Sequence, residues 1–165
     1  MRLALLLLLC WLSWAQADPR QLAWRELVPA DAPRFNPGSV DHGLGEDGPA
    51  ASQPWPDAPT VAALDGQEVR LPGYVVPLMV TEEGEVTEFL LVPYYGACIH
   101  VPPPPGNQIV YVKGGSHDLW LSKLHLPYWV EGRLGVGTQR SEVAVAGYWL
   151  QAQRIQPYIL KGDGS

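Results

Sequence analysis

Between residues 67 and 153, apolar and polar positions alternate in short stretches that end at glycine or proline. These stretches are rich in β-branched and aromatic residues, which is typical of β-strands. Five strands are predicted, at residues 67–78, 86–92, 108–113, 128–134 and 142–153. The first alternates most clearly, because Val69, Leu71 and Val75 share one parity and give the strand one apolar face. The chain is therefore predicted to be mainly β.

Gly73 interrupts the first predicted strand and indicates a bulge or a sharp bend. Bends of this kind let a small sheet close on itself, and closure removes exposed strand edges. A small five-stranded β-barrel is the simplest architecture that fits this pattern. Residues 117–124 are ambiguous between a short strand and one helical turn. Residues 143–150 could also form a helix, but their β-branched and aromatic side chains favour a strand.

Residues 18–60 differ from the rest in composition, because they are rich in Pro, Gly, Asp and Ala. We expect an irregular N-terminal arm over these residues and the β-barrel domain over residues 61–160. Within the arm, only residues 22–28 have an apolar pattern, formed by Leu22, Trp24, Leu27 and Val28. We expect these side chains to hold the arm against the domain. A disordered leader is the alternative.

Residues 1–17 predict a secretory signal peptide. Arg2 precedes an apolar run that ends at Trp14, and Ala15-Gln16-Ala17 forms an A-x-A cleavage site. The run is shorter than the roughly 20 residues that a membrane-spanning helix needs. We therefore expect cleavage after Ala17 and a periplasmic protein without a transmembrane segment. Cys10 raises the alternative of lipid attachment, but the bulky Leu9 before it argues against a lipoprotein.

The charge and cysteine content exclude several classes of protein. The chain has 11 basic against 17 acidic residues and a formal charge of −6, which repels phosphate backbones and excludes nucleic acid as a partner. Loss of Cys10 with the signal peptide leaves Cys98 as the one cysteine, so no internal disulfide is expected. Because the sequence has no phosphate loop, zinc-protease helix, serine elbow or calcium loop, we expect no enzymatic activity.

The candidate chemistry begins at Cys98, which lies two residues before His100. On extended backbone both side chains point to one face, where a thiolate and an imidazole suit zinc or copper. A closed zinc site has about four ligands. The candidate metal site, with zinc as the candidate cofactor, is formed by Cys98, His100, His117 and His125, and Asp118 or Glu131 are weaker choices of ligand.

Two other interpretations of this pair remain open. Cys98 could be a small buried apolar residue, with His100 hydrogen-bonded to the loop, and this role is the commoner one for a C-x-H pair. The pair could instead belong to a thiol-dependent enzyme. Neighbours on one strand, however, rarely supply the nucleophile, base and orienting group that activation of a thiol requires.

Four consecutive prolines follow His100, and each fixes φ and lacks an N–H donor. They predict a polyproline II corner at the surface, which could bind an aromatic-lined groove on a partner or serve as a rigid connector. Asn107 or Gln108 is expected to hydrogen-bond back to this corner. The candidate contact residues are Tyr94, Tyr95, Cys98, His100, Pro102, Pro103, Pro104, Pro105, Asn107 and Gln108.

The segments 73–78 and 89–108 resemble a family of bacterial secreted proteins, the domain of unknown function 3299. Its most distinctive part here is Cys98-Ile99-His100-Val101, the four prolines and Gly106-Asn107-Gln108. The resemblance extends over about residues 24–158. It implies a small OB-type β-barrel, and it links the protein to an envelope ABC transporter and to zinc supply.

The sequence thus predicts a secreted, non-enzymatic accessory or binding protein of the periplasm. Its expected partner is an envelope ABC transporter or another periplasmic protein. The alternatives are a metal-binding protein that uses Cys98 and His100, or a thiol-dependent enzyme.

Overall fold

The computed structural model describes residues 18–33, 35, 53–98, 103–114 and 119–159. Within these ranges the strands are β1 (Arg20–Gln21), β2 (Glu68–Val80), β3 (Val86–Val92), β4 (Val110–Gly114), β5 (Tyr128–Arg140) and β6 (Val145–Pro157). Short 3-10 turns lie at Trp24–Leu27, Ala62–Leu64, Gly106–Gln108 and Leu121–Lys123. The prediction of a mainly β protein is confirmed. The five predicted strands correspond to β2 through β6.

The six strands form one sheet whose hydrogen bonding is ring-like. β2 pairs antiparallel with β3, and β3 pairs antiparallel with β4. β4 pairs parallel with β6, and β6 pairs antiparallel with β5. The ring closes because β5 also pairs antiparallel with the first half of β2. The two-residue β1 pairs parallel with β2 at Val69 and Arg70.

Gly73 lies where β2 changes partners. Residues 68–73 pair with β5, whereas pairing with β3 begins at Tyr74. A Cβ atom at Gly73 would lie 2.8 Å from the Val92 carbonyl oxygen, so a side chain here would force the strands apart. The glycine that predicted a bend is therefore the residue at which the ring closes.

The main core fills the inside of the ring. Val69, Leu71 and Val75 of β2 are all buried, as their shared parity predicted. Leu22 and Leu27, from the N-terminal segment, are 2% and 0% exposed and belong to the same cluster. Burial of a leucine side chain contributes about 1.5–3 kcal/mol, so this segment is an integral part of the core.

Tyr148 joins the N-terminal segment to β6. Its ring is fully buried, and its hydroxyl donates to the Leu27 carbonyl at 2.7 Å. The same hydroxyl accepts a hydrogen bond from the Val61 N–H, also at 2.7 Å. One side chain therefore hydrogen-bonds both to Leu27, within the N-terminal arm, and to Val61, directly after it. Burial raises the pKa of Tyr148, which keeps the hydroxyl protonated.

In the part of the chain that the structure describes, no helix has the length and apolar character needed to cross a membrane. The predicted signal peptide, residues 1–17, lies outside the described residues. Secretion and periplasmic localisation therefore stay predictions.

Candidate functional site

The proline corner is covered by the segment 53–59 of the N-terminal arm. The Gln53 side-chain amide donates to the carbonyls of Pro104 and Val145, at 3.0 and 2.8 Å. Its oxygen accepts from the Val145 N–H at 2.8 Å. The prediction of a surface corner is therefore wrong for Pro104 and Pro105, which are buried, whereas Pro103 is half-buried. Pro102 lies outside the described residues.

Gly106 permits this close approach of the arm. A Cβ atom here would collide with the Pro56 carbonyl oxygen and would lie 3.5 Å from that of Val145. The Gly106 N–H also donates to the Trp55 carbonyl at 3.1 Å. The corner and the arm are thus in direct backbone contact, which only a residue without a side chain allows.

The side chains of Asn107 and Gln108 hydrogen-bond to the N-terminal arm. Asn107 is buried, 4% exposed, and its side-chain amide donates to the Pro59 carbonyl at 2.8 Å. The Gln108 amide donates to the Trp24 carbonyl at 2.9 Å. The predicted hydrogen bond back to the corner is also present, because the Gln108 N–H donates to the Pro105 carbonyl at 2.8 Å.

Two adjoining clefts flank Asn107. The first, about 460 Å³, is lined mainly by arm residues, among them Val28, Pro29 and Phe35. The second, about 360 Å³, lies beside Trp55 and the prolines that follow it. Because Pro33 and Asn107 line both clefts, the two form one mainly apolar surface between the arm and the Gly106–Gln108 turn.

Cys98 is half-buried in an unusual backbone conformation, with φ of 67°. It packs against the second core cluster, which includes Val76, Val92 and Ala97. Burial raises the pKa of the thiol from its ordinary value of 9.0 to about 11. A nucleophilic cysteine needs the opposite shift, because the thiolate is the reactive form.

The structure describes two of the four predicted metal ligands, Cys98 and His125. His100 and His117 lie outside the described residues. His125 is exposed and lines a cavity of about 190 Å³ together with Ala97, the neighbour of Cys98. Among the residues described, no three His, Cys, Asp or Glu side chains are grouped so that they could hold a metal ion.

The tyrosine pair after β3 is split between the core and the surface. Tyr94 packs against the second core cluster, and burial raises its pKa. Tyr95 is 60% exposed and contacts Tyr74 edge-on, with 5.7 Å between ring centroids. Of the two, Tyr95 is therefore the one available for contact with another molecule.

The family model of DUF3299, proteins of unknown function, matches residues 24–157. The chain belongs to the DUF3299 family. It is also similar to a DUF3299 family protein from Pseudomonas aeruginosa PAO1 whose crystal structure is known. That protein is 54% identical with a TM-score of 0.80, and the match covers 88% of this chain and 100% of that one. No curated protein matches the chain.

Trp55 of this DUF3299 protein was not among the predicted contact residues. It lines the second cleft, is 53% exposed and has φ of 45°. A bulky residue with a positive φ stores about 1–3 kcal/mol of backbone strain. The N–H groups of Gly106 and Ala58 donate hydrogen bonds to the Trp55 carbonyl and stabilise this conformation. The signal in the sequence was an aromatic residue between two prolines, Pro54 and Pro56.

Proposed function

We propose that this DUF3299 protein is a non-enzymatic accessory protein of the bacterial periplasm. In this proposal, the two clefts around Asn107 bind an extended apolar segment of a partner protein. The observation that carries it is Trp55, an exposed residue with a strained backbone at the edge of an apolar cleft. Exposed tryptophans next to such clefts are the side chains that most often dominate a protein interface.

The shape and lining of the clefts support an extended segment. Aromatic and proline side chains line grooves that bind extended or polyproline peptides. Here Trp55, Pro56 and Pro59 provide such a lining. Because hydrogen bonds already hold the Trp55 backbone, binding would lose little entropy in ordering the site.

The charges near the clefts favour an uncharged segment. Glu26 is paired with Arg20 at 3.0 Å, and Asp57 is paired with Arg140 at 3.6 Å. Arg25 adds one positive charge to the lining of the first cleft, so only a small excess of one sign lies beside the apolar lining. A strongly charged partner segment would therefore have little complementary surface here.

Three further parts of the proposal rest on pattern and family. Strand order β2-β3-β4-β6-β5, closed onto β2 with one parallel pair, supports an OB-type five-stranded barrel. The pattern of residues 1–17 supports periplasmic localisation. Family resemblance supports an envelope ABC transporter as partner and a link to zinc supply.

Replacement of Trp55 by alanine is expected to weaken capture of the envelope partner about tenfold, because truncation of an interface tryptophan removes a large apolar contact. The measurement is binding of mature residues 18–165 to solubilised envelope proteins, with quantification of ABC transporter subunits. Leu121→Ala is the matched control, since Leu121 is 47% exposed and lines neither cleft. Equal capture by the Trp55 variant and the native protein would remove the clefts from the interface.

A zinc site at Cys98 and His125, completed by His100 and His117, is the second candidate function. The cavity shared by Ala97 and His125 favours it. Elemental analysis at pH 8 would then find one zinc per chain, lost in Cys98→Ser and His125→Ala. Because zinc must displace a proton from a thiol with a pKa of about 11, affinity should fall about tenfold per unit of pH below 8. Purification of the protein without metal, with a melting temperature that does not change when zinc is added, would refute this candidate.

A further inference from the structure

A second aromatic site lies on the outer face of β4, β5 and β6. Trp149 of β6 is half-buried and rests against β5 at Gly135, where a Cβ atom would collide with the indole. At Gly137, a Cβ atom would lie 3.9 Å from the indole nitrogen. The ring therefore lies on glycine backbone, which gives it a flat and rigid support.

An irregularity in β5 brings polar side chains beside this ring. The register of β5 and β6 shifts between Val136 and Gln139, and bulges of this kind redirect side chains. Gln139, Gln151 and Trp149 line a cavity of about 250 Å³, together with Tyr111 and Lys113 of β4. The site thus combines an aromatic surface with two amides that both donate and accept hydrogen bonds.

The charges at this cavity cancel. Lys113 Nζ lies 3.6 Å from Glu88 Oε1 and 5.3 Å from the centroid of the Tyr111 ring. The Tyr111 hydroxyl donates a hydrogen bond to the Glu88 carboxylate, and this bond raises the pKa of Tyr111 to about 12. Tyr111 therefore stays protonated at physiological pH. The lining therefore offers donors and acceptors, and its one charged residue, Lys113, is neutralised by Glu88 from outside the lining.

We propose that this face binds a neutral saccharide, with one sugar ring on Trp149 and its hydroxyls bonded to Gln139 and Gln151. The C–H face of a sugar is apolar and packs on an indole, while its hydroxyls need planar polar partners. The cavity is smaller than the roughly 300–1,000 Å³ of pockets that hold drug-sized ligands, which suits a single ring. This site goes beyond the proposed function, since it shares no residue with the clefts around Asn107.

Trp129 provides the internal comparison. It is also half-buried on the outside of β5, but the Arg70 guanidinium lies 4.1 Å from its centroid and Tyr158 lies 5.0 Å away. Arg70 and Tyr158 therefore already pack against the Trp129 ring. A sugar that binds by stacking should therefore use Trp149 and leave Trp129 unaffected.

The test is isothermal titration of the mature protein with maltotriose, cellotriose and the trimer of N-acetylglucosamine. At least one is expected to bind with a Kd of about 1 mM. Trp149→Ala should raise that Kd about fivefold, and Gln151→Ala, at an exposed position, about threefold. Trp129→Ala should leave it unchanged.

The charged trimer of galacturonic acid is the specificity control and should bind at least about tenfold more weakly, because no net positive charge faces it. Absence of binding by all three neutral probes at about 10 mM would overturn the proposal. The same conclusion would follow if Gln151→Ala, folded with a native melting temperature, bound as tightly as the unaltered protein. Equal losses in the Trp129 and Trp149 variants would also contradict it.

Discussion

Replacement of Tyr148 by phenylalanine is expected to lower the free energy of unfolding by about 3 kcal/mol. The hydroxyl is the partner of both the Leu27 carbonyl and the Val61 N–H. Its loss would leave the buried Leu27 carbonyl without a donor and the part-buried Val61 N–H without an acceptor. A buried polar group that loses its partner costs about 1–3 kcal/mol, and here two groups lose theirs.

Tyr128→Phe is the matched control for this prediction. Tyr128 is 1% exposed, but its hydroxyl makes a single, longer hydrogen bond to the Lys123 carbonyl, at 3.2 Å. Its loss should cost about 1 kcal/mol. Urea unfolding of both variants measures the difference. If Tyr128→Phe destabilised the protein as much as Tyr148→Phe, the hydroxyl of Tyr148 would not be what holds the arm.

Alkylation of Cys98 by iodoacetamide at pH 7 is expected to be at least about tenfold slower in the native protein than in urea. With a pKa of about 11, roughly one thiol in 10⁴ is ionised, against about one in 10² at the ordinary value of 9.0. The more basic thiolate of the native protein is also the stronger nucleophile, which raises its rate of alkylation about eightfold and offsets part of this difference. Partial burial restricts access further.

The pH dependence of this reaction distinguishes the two states. The native rate should still rise about tenfold per unit between pH 9 and 10, whereas the rate in urea should level off above pH 9. Since the unfolded chain releases the thiol proton first, stability should fall as pH rises from 9 towards 11, and Cys98→Ala should reduce this loss. Native alkylation as fast as in urea would instead support the thiol-dependent enzyme.

Local sequence patterns predicted the strands because apolar–polar alternation and strand-ending glycines can be recognised within a few neighbouring residues. Val69, Leu71 and Val75 are buried on one face of β2, and Gly73 lies at its change of partner. The C-terminal ends of β5 and β6 were not predicted as strand. Polar residues there, such as Gln139 and Arg154, are held in the strands by pairing between β5 and β6. β1 was missed because its two residues depend on β2 for their hydrogen bonds.

The candidate site was harder to predict because its contacts join distant residues. The hydrogen bond from Gln53 to Pro104 spans 51 positions, and no local pattern indicates that the arm covers the corner. For the same reason, Pro104 and Pro105 were expected at the surface. Trp55 was missed because its exposure depends on the strained backbone that Gly106 holds. Asn107 and Gln108, by contrast, were identified from the motif that contains them.

The central claim is that the clefts between the arm and the ring are the surface that binds a partner. Hydrogen exchange of residues 18–165, alone and with the captured envelope protein bound, tests it most directly. Binding should slow exchange in residues 22–33 and 53–61 and leave residues 120–126 unchanged. Unchanged exchange in the first two segments, or slowing confined to residues 120–126, would contradict the account.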